Sequence, residues 1–332
     1  MVFHGQLRSS GLSLADVMRG VSYTLGTSKV RKLWNISTST SMFFVETNPK
    51  VLSLPPRVMC ALESAALHNP DRQVYHIAQK DIGVHEYELV LHQYSNIQFL
   101  KRNFNDLILR SPVESIYSQT LSGTSFEVKN LSDILRLMVL FFFGGVYMDT
   151  DVISLNRVPM GGFKSHHPFI YEALLNMAKD FRPEHWAYNG PNLVTRVAKI
   201  YCPAHGGTAS ENSVDGMWSW KCGDIQILNS TNAYAIDYRD FRNLFNTSHS
   251  TEIEAAISNS FAMHYWNKMI SWHGRVTLRE DQPLYKIFRQ NCPVTEEFYL
   301  RPLLNQRFHI RDKSTKMRRT IGTHSVQQRV VN

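Results

Sequence analysis

The chain lacks any long apolar run. Its longest candidate, residues 137–148, has about 12 residues, whereas a membrane-spanning helix needs about 18 or more. Gly144 and Gly145 also interrupt it. A hydrophobic content of 43% and a charged content of 19% exclude a disordered or collagen-like chain. We therefore expect a folded chain without a transmembrane helix, long enough at 332 residues to bury a sizeable core.

Cysteine is also scarce. The four cysteines are Cys60, Cys202, Cys222 and Cys292, and no two have the spacing of metal ligands, so we expect no zinc site. An even count fits either disulfides in an oxidising compartment or unpaired thiols in a reducing one. A bond between Cys202 and Cys222 would close a polar loop and add about 3 kcal/mol. The residues alone leave both possibilities open.

The N-terminal segment lacks the uninterrupted apolar stretch of a secretory signal. Asp16 and Arg19 fall inside residues 12–25, which we interpret as a short amphipathic helix. We treat residues 1–40 as a poorly defined extension.

The net charge of +8 is unevenly distributed. Residues 305–332 contain seven basic residues and one acid, a net of +6, which leaves about +2 for the remaining chain. A basic tail on a nearly neutral body is a weak signal for nucleic-acid binding, and we predict none. We expect residues 304–332 to form a mobile tail, because they contain few large apolar residues.

Strands and helices are predicted to alternate between these two segments. Residues 41–46, 73–78 and 97–100 have the β-favouring composition of strands, whereas residues 57–68 and 85–92 have helical patterns. Such alternation is typical of an α/β layer fold with a largely parallel sheet. Ligands bind at the carboxyl ends of the strands in these sheets.

The most informative stretch is residues 131–155. A helix capped by Ser132 is predicted to run to Phe143 and to be buried, and it carries Asp133 and Arg136 on one face. After Gly144 and Gly145, a strand at residues 146–148 leads into Asp149-Thr150-Asp151. Two acids at this spacing in an extended chain point the same way and can face one divalent cation.

This stretch resembles the DXD-containing α-1,4-glycosyltransferase family. The matching pattern is S-D-x-x-R-x-x-x-L-x-x-x-G-G-x-Y-x-D-x-D, over residues 132–151. Residues 43–47, 60–66, 189–197 and 262–268 resemble further family segments in the same order. The resemblance covers roughly residues 41–300, and we assign residues 41–303 to one catalytic domain.

The resemblance implies a GT-A fold, an α/β domain with a Rossmann-like nucleotide-binding sheet. It also implies metal-dependent, anomer-retaining transfer of a hexose or N-acetylhexosamine from a UDP-sugar to a galactose-terminated glycolipid or glycan, in α-1,4 linkage. The expected metal is Mn²⁺, which would stabilise the charge left on UDP.

The resemblance further implies roles for particular residues. The donor sugar would be held by Asp133 and Arg136. The expected metal ligands are Asp149, Asp151 and His264, and the expected UDP-binding residues are Phe44, Asp149, Trp266 and Lys268. Asn189 lies near the reacting region, where it fits either a catalytic role or a turn.

Two wider expectations depend on the resemblance. It supports pairing of Cys202 with Cys222, which leaves Cys60 and Cys292 as a long-range pair. Family members are anchored in the Golgi membrane and face its lumen, so a Golgi location and a role in glycosphingolipid biosynthesis are expected.

An alternative interpretation is a catalytically inactive relative that binds UDP-sugar or a partner enzyme. The segment after Leu155 is shorter than in family members, which favours that alternative, whereas the intact Asp-Arg pair and D-x-D favour an enzyme.

Overall fold

The structure is a computed structural model that describes residues 4–5, 30, 32–36, 40–109, 111–120, 126–159, 162–204, 211–214, 217–272 and 278–304. The helix predicted at residues 12–25 and the basic tail beyond residue 304 lie outside these ranges. The assignment of residues 41–303 to one domain therefore stays a prediction.

The strands are β1 (His4–Gly5), β2 (Met42–Glu46), β3 (Val74–Ala78), β4 (Ile97–Lys101), β5 (Val146–Tyr147), β6 (Val152–Ser154), β7 (Glu211–Val214), β8 (Met217–Cys222), β9 (Ile225–Leu228) and β10 (Ala262–His264). The α-helices are α1 (Pro56–His68), α2 (Glu88–Gln93), α3 (Asn105–Ile108), α4 (Glu114–Thr120), α5 (Glu127–Phe143), α6 (Pro168–Lys179), α7 (Pro191–Ala204), α8 (Thr231–Tyr234), α9 (Ser250–Ile257), α10 (Asn267–Trp272), α11 (Pro283–Asn291), α12 (Pro293–Thr295) and α13 (Arg301–Leu304). Tighter 3₁₀ turns lie at His85–Tyr87, Phe241–Phe245 and Thr247–His249, and a π-helical turn lies at Glu296–Leu300.

The central sheet has the strand order β4-β3-β2-β5, and all of its strands are parallel. Phe43 of β2 lies opposite Tyr75 of β3 on one side and Tyr147 of β5 on the other. Because the strands are parallel, their carboxyl ends share one edge, and the chain reaches Asp149 directly beyond β5. The predicted α/β fold with a parallel nucleotide-binding type of sheet is confirmed.

Both faces of this sheet are buried, and alternation along β2 shows how. Met42 and Phe44 pack into a core with α1 and the C-terminal helices. Phe43 and Val45 point to the opposite face, into a core with α5, α6 and α7. A parallel sheet covered by helices on both faces requires such continuous apolar strands, which explains why the first strand could be predicted.

The described residues also form two smaller sheets. Strands β6 and β10 pair antiparallel, with His264 opposite Val152. The other sheet is antiparallel and has the order β1-β9-β8-β7. The first of these pairings brings the end of β10 beside the D-x-D segment, although more than a hundred residues separate them in the chain.

Helix α5 begins earlier than predicted. It starts at Glu127, so Ser132 lies inside the helix and the prediction that it caps the N-terminus is wrong. The interior of the helix is buried as expected. The helix ends before Gly144, because the φ of 74° at this residue is not helical. The earlier start adds a turn that brings Lys129 into the cavity described below.

Both expected disulfides are present. Cys60 of α1 pairs with Cys292, 232 residues away, and Cys202 of α7 pairs with Cys222 of β8, 20 residues away. Within the described ranges, no helix combines the length and apolar character that a membrane crossing requires.

Candidate active site

Glycines fix the position of the D-x-D segment. Gly145 has a φ of 77°, and a Cβ there would lie 2.3 Å from the backbone oxygen of Ser41. Only glycine permits this close approach, which seats β5 against β2. Asp149 and Asp151 then occupy the turn between β5 and β6.

Asp149, Asp151 and His264 form a cluster. One possible ligand atom from each lies within 4.8 Å of the others, which is close enough to surround one cation. Two carboxylates and an imidazole suit a first-row divalent metal such as Mn²⁺. The cluster brings together the three metal ligands that the sequence predicted.

The surroundings of His264 indicate which of its two ring nitrogens carries the proton. The backbone N–H of Trp266 donates to His264 Nδ1 at 3.1 Å, so a neutral ring carries its proton on Nε2. Nε2 lies 3.1 Å from Asp151 Oδ1, within ion-pair distance. Ligation through Nε2 requires that proton to move to Nδ1 and the Trp266 N–H to turn away. The carboxylates therefore fit a metal as they stand, and the imidazole fits after this change.

Asp133 and Arg136 interact as predicted, and a second cation joins them. Arg136 lies 3.2 Å from Asp133 Oδ1 and 3.2 Å from Asp149 Oδ1. Lys129 Nζ lies 2.6 Å from Asp133 Oδ2. Arg136 thus links the helix carboxylate to the D-x-D carboxylate, and Asp133, only 1% exposed, is balanced by two cations.

Charge and burial act against each other at Asp149. Burial is the largest single effect and raises the pKa of Asp149, but the Arg136 guanidinium and several smaller contributions together outweigh it, and the net shift is downward. The Tyr147 hydroxyl donates to Asp149 Oδ1 at 3.0 Å and contributes to the same shift. Burial raises the pKa of Tyr147 itself, so the hydroxyl stays a neutral donor. Asp149 is ionised at neutral pH, as a metal ligand must be.

Asn189 holds a turn. Its side-chain amide donates to Arg182 O at 2.9 Å and to Asn130 Oδ1 at 3.2 Å, and its Oδ1 accepts from Arg182 N at 3.0 Å. Asn189 was expected to have either a catalytic role or a role in a turn, and these bonds support the role in a turn. Gly190 follows, and a Cβ there would lie 2.6 Å from Asp133 Oδ1. The turn therefore packs directly against the carboxylate of the Asp-Arg pair.

Aromatic rings surround the other side of His264. The rings of His264 and Trp266 lie 4.1 Å apart, and Tyr234 stacks on His264 at 5.6 Å. The indole N–H of Trp266 donates to the backbone oxygen of Ile236 at 2.8 Å. Since that donor is engaged, Trp266 can offer a nucleotide its ring face and not its N–H.

A cavity of about 1400 Å³ joins these groups. Its wall contains all the predicted site residues except Phe44, namely Asp133, Arg136, Asp149, Asp151, His264, Trp266 and Lys268. The Phe44 side chain is fully buried in the core and does not reach the cavity. The cavity extends from Trp266 past the acidic cluster to α7 and β9.

Several residues that line this cavity or contact its charged groups were missed from the sequence. Tyr147 precedes Asp149 by two positions, a spacing that places both side chains on one side of an extended chain. Lys129 precedes Asp133 by four positions, which would have indicated contact had the helix been extended to Glu127. The sequence had no signal for Trp186 or Tyr234, which reach the cavity only through the folding of separate loops.

Comparisons with known proteins agree with this geometry. Residues 162–299 match the family described as "Alpha 1,4-glycosyltransferase conserved region", and residues 55–168 match "Glycosyltransferase sugar-binding region containing DXD motif". The human α-1,4-N-acetylglucosaminyltransferase is 26% identical over 76% of this chain and 78% of its own length. The human lactosylceramide 4-α-galactosyltransferase is 25% identical over 77% of this chain and 76% of its own length.

The chain is a glycosyltransferase related to the DXD-containing α-1,4-glycosyltransferases. The second family match contains Asp149 and Asp151, and the first contains His264, so the acidic cluster takes residues from both matched regions. Among solved structures, the PaToxG glycosyltransferase is 17% identical with a TM-score of 0.40, over 55% of this chain and 80% of that one. The bacterial N-acetylglucosamine transferase NleB has a TM-score of 0.31, with 10% identity over 48% and 85% of the two chains.

Proposed function

We propose that this glycosyltransferase moves a hexose or N-acetylhexosamine from a UDP-sugar to a galactose-terminated glycolipid or glycan, with a divalent cation and retention of the anomeric configuration. The observation that carries the proposal is the cluster of Asp149, Asp151 and His264 beside the Asp133–Arg136 pair in one cavity. A second role, as an inactive UDP-sugar-binding relative, is not supported by any feature of this cavity.

The metal-binding part of the proposal depends on the two carboxylates. Asp151 Oδ2 accepts the Asn267 backbone N–H at 3.1 Å, and Asp149 is oriented by Arg136 and Tyr147. Both carboxylates are thus fixed before any ligand arrives, which reduces the cost of assembling a site. A bound divalent cation, with Mn²⁺ as the expected ion, would supply Lewis-acid stabilisation of the charge on the departing UDP.

The donor sugar would lie between the metal cluster and α5. Arg136 has N–H groups directed at Asp133 and Asp149, and its side chain is 18% exposed to the cavity. Hydroxyl groups of a hexose can replace part of this network through charge-assisted hydrogen bonds. The uridine end would then lie toward Trp266, Tyr234 and Lys268, which line the other side of the acidic cluster.

The acceptor class and the location are proposed from the relatives. The relative lactosylceramide 4-α-galactosyltransferase is named for its action on lactosylceramide, which supports a galactose-terminated glycolipid acceptor and glycosphingolipid biosynthesis. The disulfides Cys60–Cys292 and Cys202–Cys222 support an oxidising compartment, in agreement with the Golgi lumen.

The direct test is UDP release from UDP-galactose, UDP-N-acetylglucosamine and UDP-N-acetylgalactosamine, with and without Mn²⁺ and with methyl β-lactoside as acceptor. We expect release from one donor that requires the metal and is stimulated by the acceptor, and an α-linked product by NMR. Asp71→Asn, which changes a half-exposed carboxylate paired with Arg157, is the matched control and should behave as wild type. UDP-sugar binding without any UDP release would instead establish the inactive alternative.

A further inference from the structure

Trp186 is a large aromatic side chain left exposed in the wall of the cavity. It is 44% exposed and lies in the loop between α6 and α7. The Lys129 ammonium lies 5.2 Å from the centre of its ring, and Phe126 contacts it edge-on at 5.4 Å. Because the indole lies in the wall of the cavity, and aromatic side chains are common in the walls of ligand-binding cavities, it is available to a ligand that enters.

The loop that carries Trp186 is firmly held. Asn130 of α5 donates to Pro183 O at 2.9 Å, on the N-terminal side of Trp186. On its C-terminal side, the guanidinium groups of Arg182 and Arg196 lie over the Tyr188 ring, 4.6 and 3.9 Å from its centre. The indole is therefore presented from a rigid loop, which reduces the entropy lost when a ligand packs on it.

Trp186 also lies next to the donor-sugar groups. Lys129 contacts the Trp186 ring and is bonded to Asp133 at 2.6 Å, so a single side chain separates the indole from the Asp-Arg pair. Trp266 and Lys268, assigned to the nucleotide, line the cavity on the side of His264. The acceptor sugar must meet the donor sugar, and the side of the cavity that contains Trp186 is the side that can hold it.

We propose that Trp186 is the platform for the acceptor sugar, a pyranose whose apolar C–H face packs against the indole beside Lys129. This inference rests on the proposed function and names the residue that recognises the acceptor. A pyranose has one face of C–H groups and an equator of hydroxyls. The indole suits that face, and the Lys129 ammonium suits a hydroxyl.

The test measures acceptor binding without turnover. Affinity for methyl β-lactoside is determined by calorimetry in the presence of UDP and Mn²⁺, for the wild type, Trp186→Ala and Trp186→Phe. We expect Trp186→Ala to weaken binding about tenfold and Trp186→Phe by less than about threefold. Phe298→Ala, which removes a 49% exposed aromatic from the π-helical turn, is the matched control and should bind as the wild type does.

Kinetics give a second readout that separates this inference from the proposed function. Trp186→Ala should raise the KM for the acceptor while leaving the KM for the UDP-sugar and the donor-only UDP release unchanged. Equal acceptor affinity in Trp186→Ala and wild type, or no binding to the wild type, overturns the platform. Binding that depends on Trp186 but never leads to transfer overturns the proposed function instead.

Discussion

Glu63 and Asp133 are both carboxylates with at most 1% exposure, yet their surroundings differ. Glu63 lies in the core beside the Cys60–Cys292 disulfide and accepts the backbone N–H groups of Val294 and Thr295 at 2.9 and 2.7 Å. Asp133 lies at the cavity and is balanced by two cations.

The difference separates structural from ligand-binding use of a buried charge. The core carboxylate satisfies backbone donors that are fixed by the fold, so its removal should cost stability. The cavity carboxylate is balanced by side chains that can turn toward a ligand, so changes around it should cost function. The following predictions test that contrast.

The disulfide of the core should contribute more stability than the disulfide of the cavity wall. In the chain-entropy treatment, loss of Cys60–Cys292 through Cys60→Ala/Cys292→Ala costs about 5 kcal/mol, and loss of Cys202–Cys222 costs about 3 kcal/mol. The longer loop closed by the first bond is the physical reason. Chemical denaturation of the two double variants measures both values, and an equal or reversed order would contradict the prediction.

Asp151→Asn should abolish most activity without unfolding the protein. If Asp151 binds the cation, turnover falls about a thousandfold, which corresponds to about 4 kcal/mol of lost transition-state stabilisation. The melting temperature should stay close to that of the wild type, because Asp151 is not part of the apolar core. Steady-state rates with thermal melting on the same preparation decide, and a folded variant with normal turnover would remove Asp151 from the metal site.

Glu63→Ala should show the opposite pattern. It leaves the N–H groups of Val294 and Thr295 without their carboxylate partner, and each buried unsatisfied donor costs at least about 1 kcal/mol, so about 2 kcal/mol or more in total. Turnover per folded molecule should be unchanged, since Glu63 does not line the cavity. Denaturant titration combined with rates well below the melting temperature tests both parts.

Arg136→Ala should affect the sugar more than the fold. Lys129 still balances Asp133, so the loss of stability should stay below the about 3–5 kcal/mol of an uncompensated buried charge. UDP-sugar affinity should fall at least about tenfold, or about 1.4 kcal/mol, while the affinity for UDP alone is nearly unchanged. Adding Lys129→Ala should then produce the full stability loss, which calorimetry and melting curves can detect.

The smallest effect is a pH dependence at Glu63. Burial, the dominant cause, raises the pKa of Glu63 above its usual 4.5 despite the hydrogen bonds it accepts. A raised pKa in the folded state gives stability that is full below the unfolded value and is lost as pH rises through the folded value. The unfolding free energy of the wild type minus that of Glu63→Gln should therefore decrease as the pH rises above the unfolded value of 4.5. A difference in unfolding free energy that does not change with pH would contradict this prediction.

Much of the fold could be predicted because local pattern and packing agree. Strand β2 is apolar at every position that faces a core, and α1 ends where Asn69 and Pro70 follow. The start of α5 could not be placed, because Ser132 is a good capping residue and yet tertiary packing continues the helix back to Glu127. A local preference of about 1 kcal/mol was overridden by burial of Asn130 and Leu131 in the added turn.

In the candidate site, too, some residues could be predicted from local sequence and others could not. A single stretch of twenty residues contains Asp133, Arg136, Asp149 and Asp151. Their spacing in the sequence was therefore enough to predict that they share one site. Phe44 was assigned to UDP by resemblance, but alternation along β2 directs its side chain into the core with Met42. Trp186 comes from a loop whose position depends on contacts with α5, and no local pattern specifies such contacts.

The Cys60–Cys292 bond also sets an order for biosynthesis. The Cys60 thiol cannot pair with Cys292 until the 232 residues that separate them have been synthesised, which takes tens of seconds at about 5–20 residues per second. Two competing thiols, Cys202 and Cys222, emerge during that wait, and their loop of 20 residues closes at a smaller entropic cost. Once that local pair has formed, the last cysteine to be synthesised has a single partner left, and correct pairing follows from the order in which the thiols leave the ribosome.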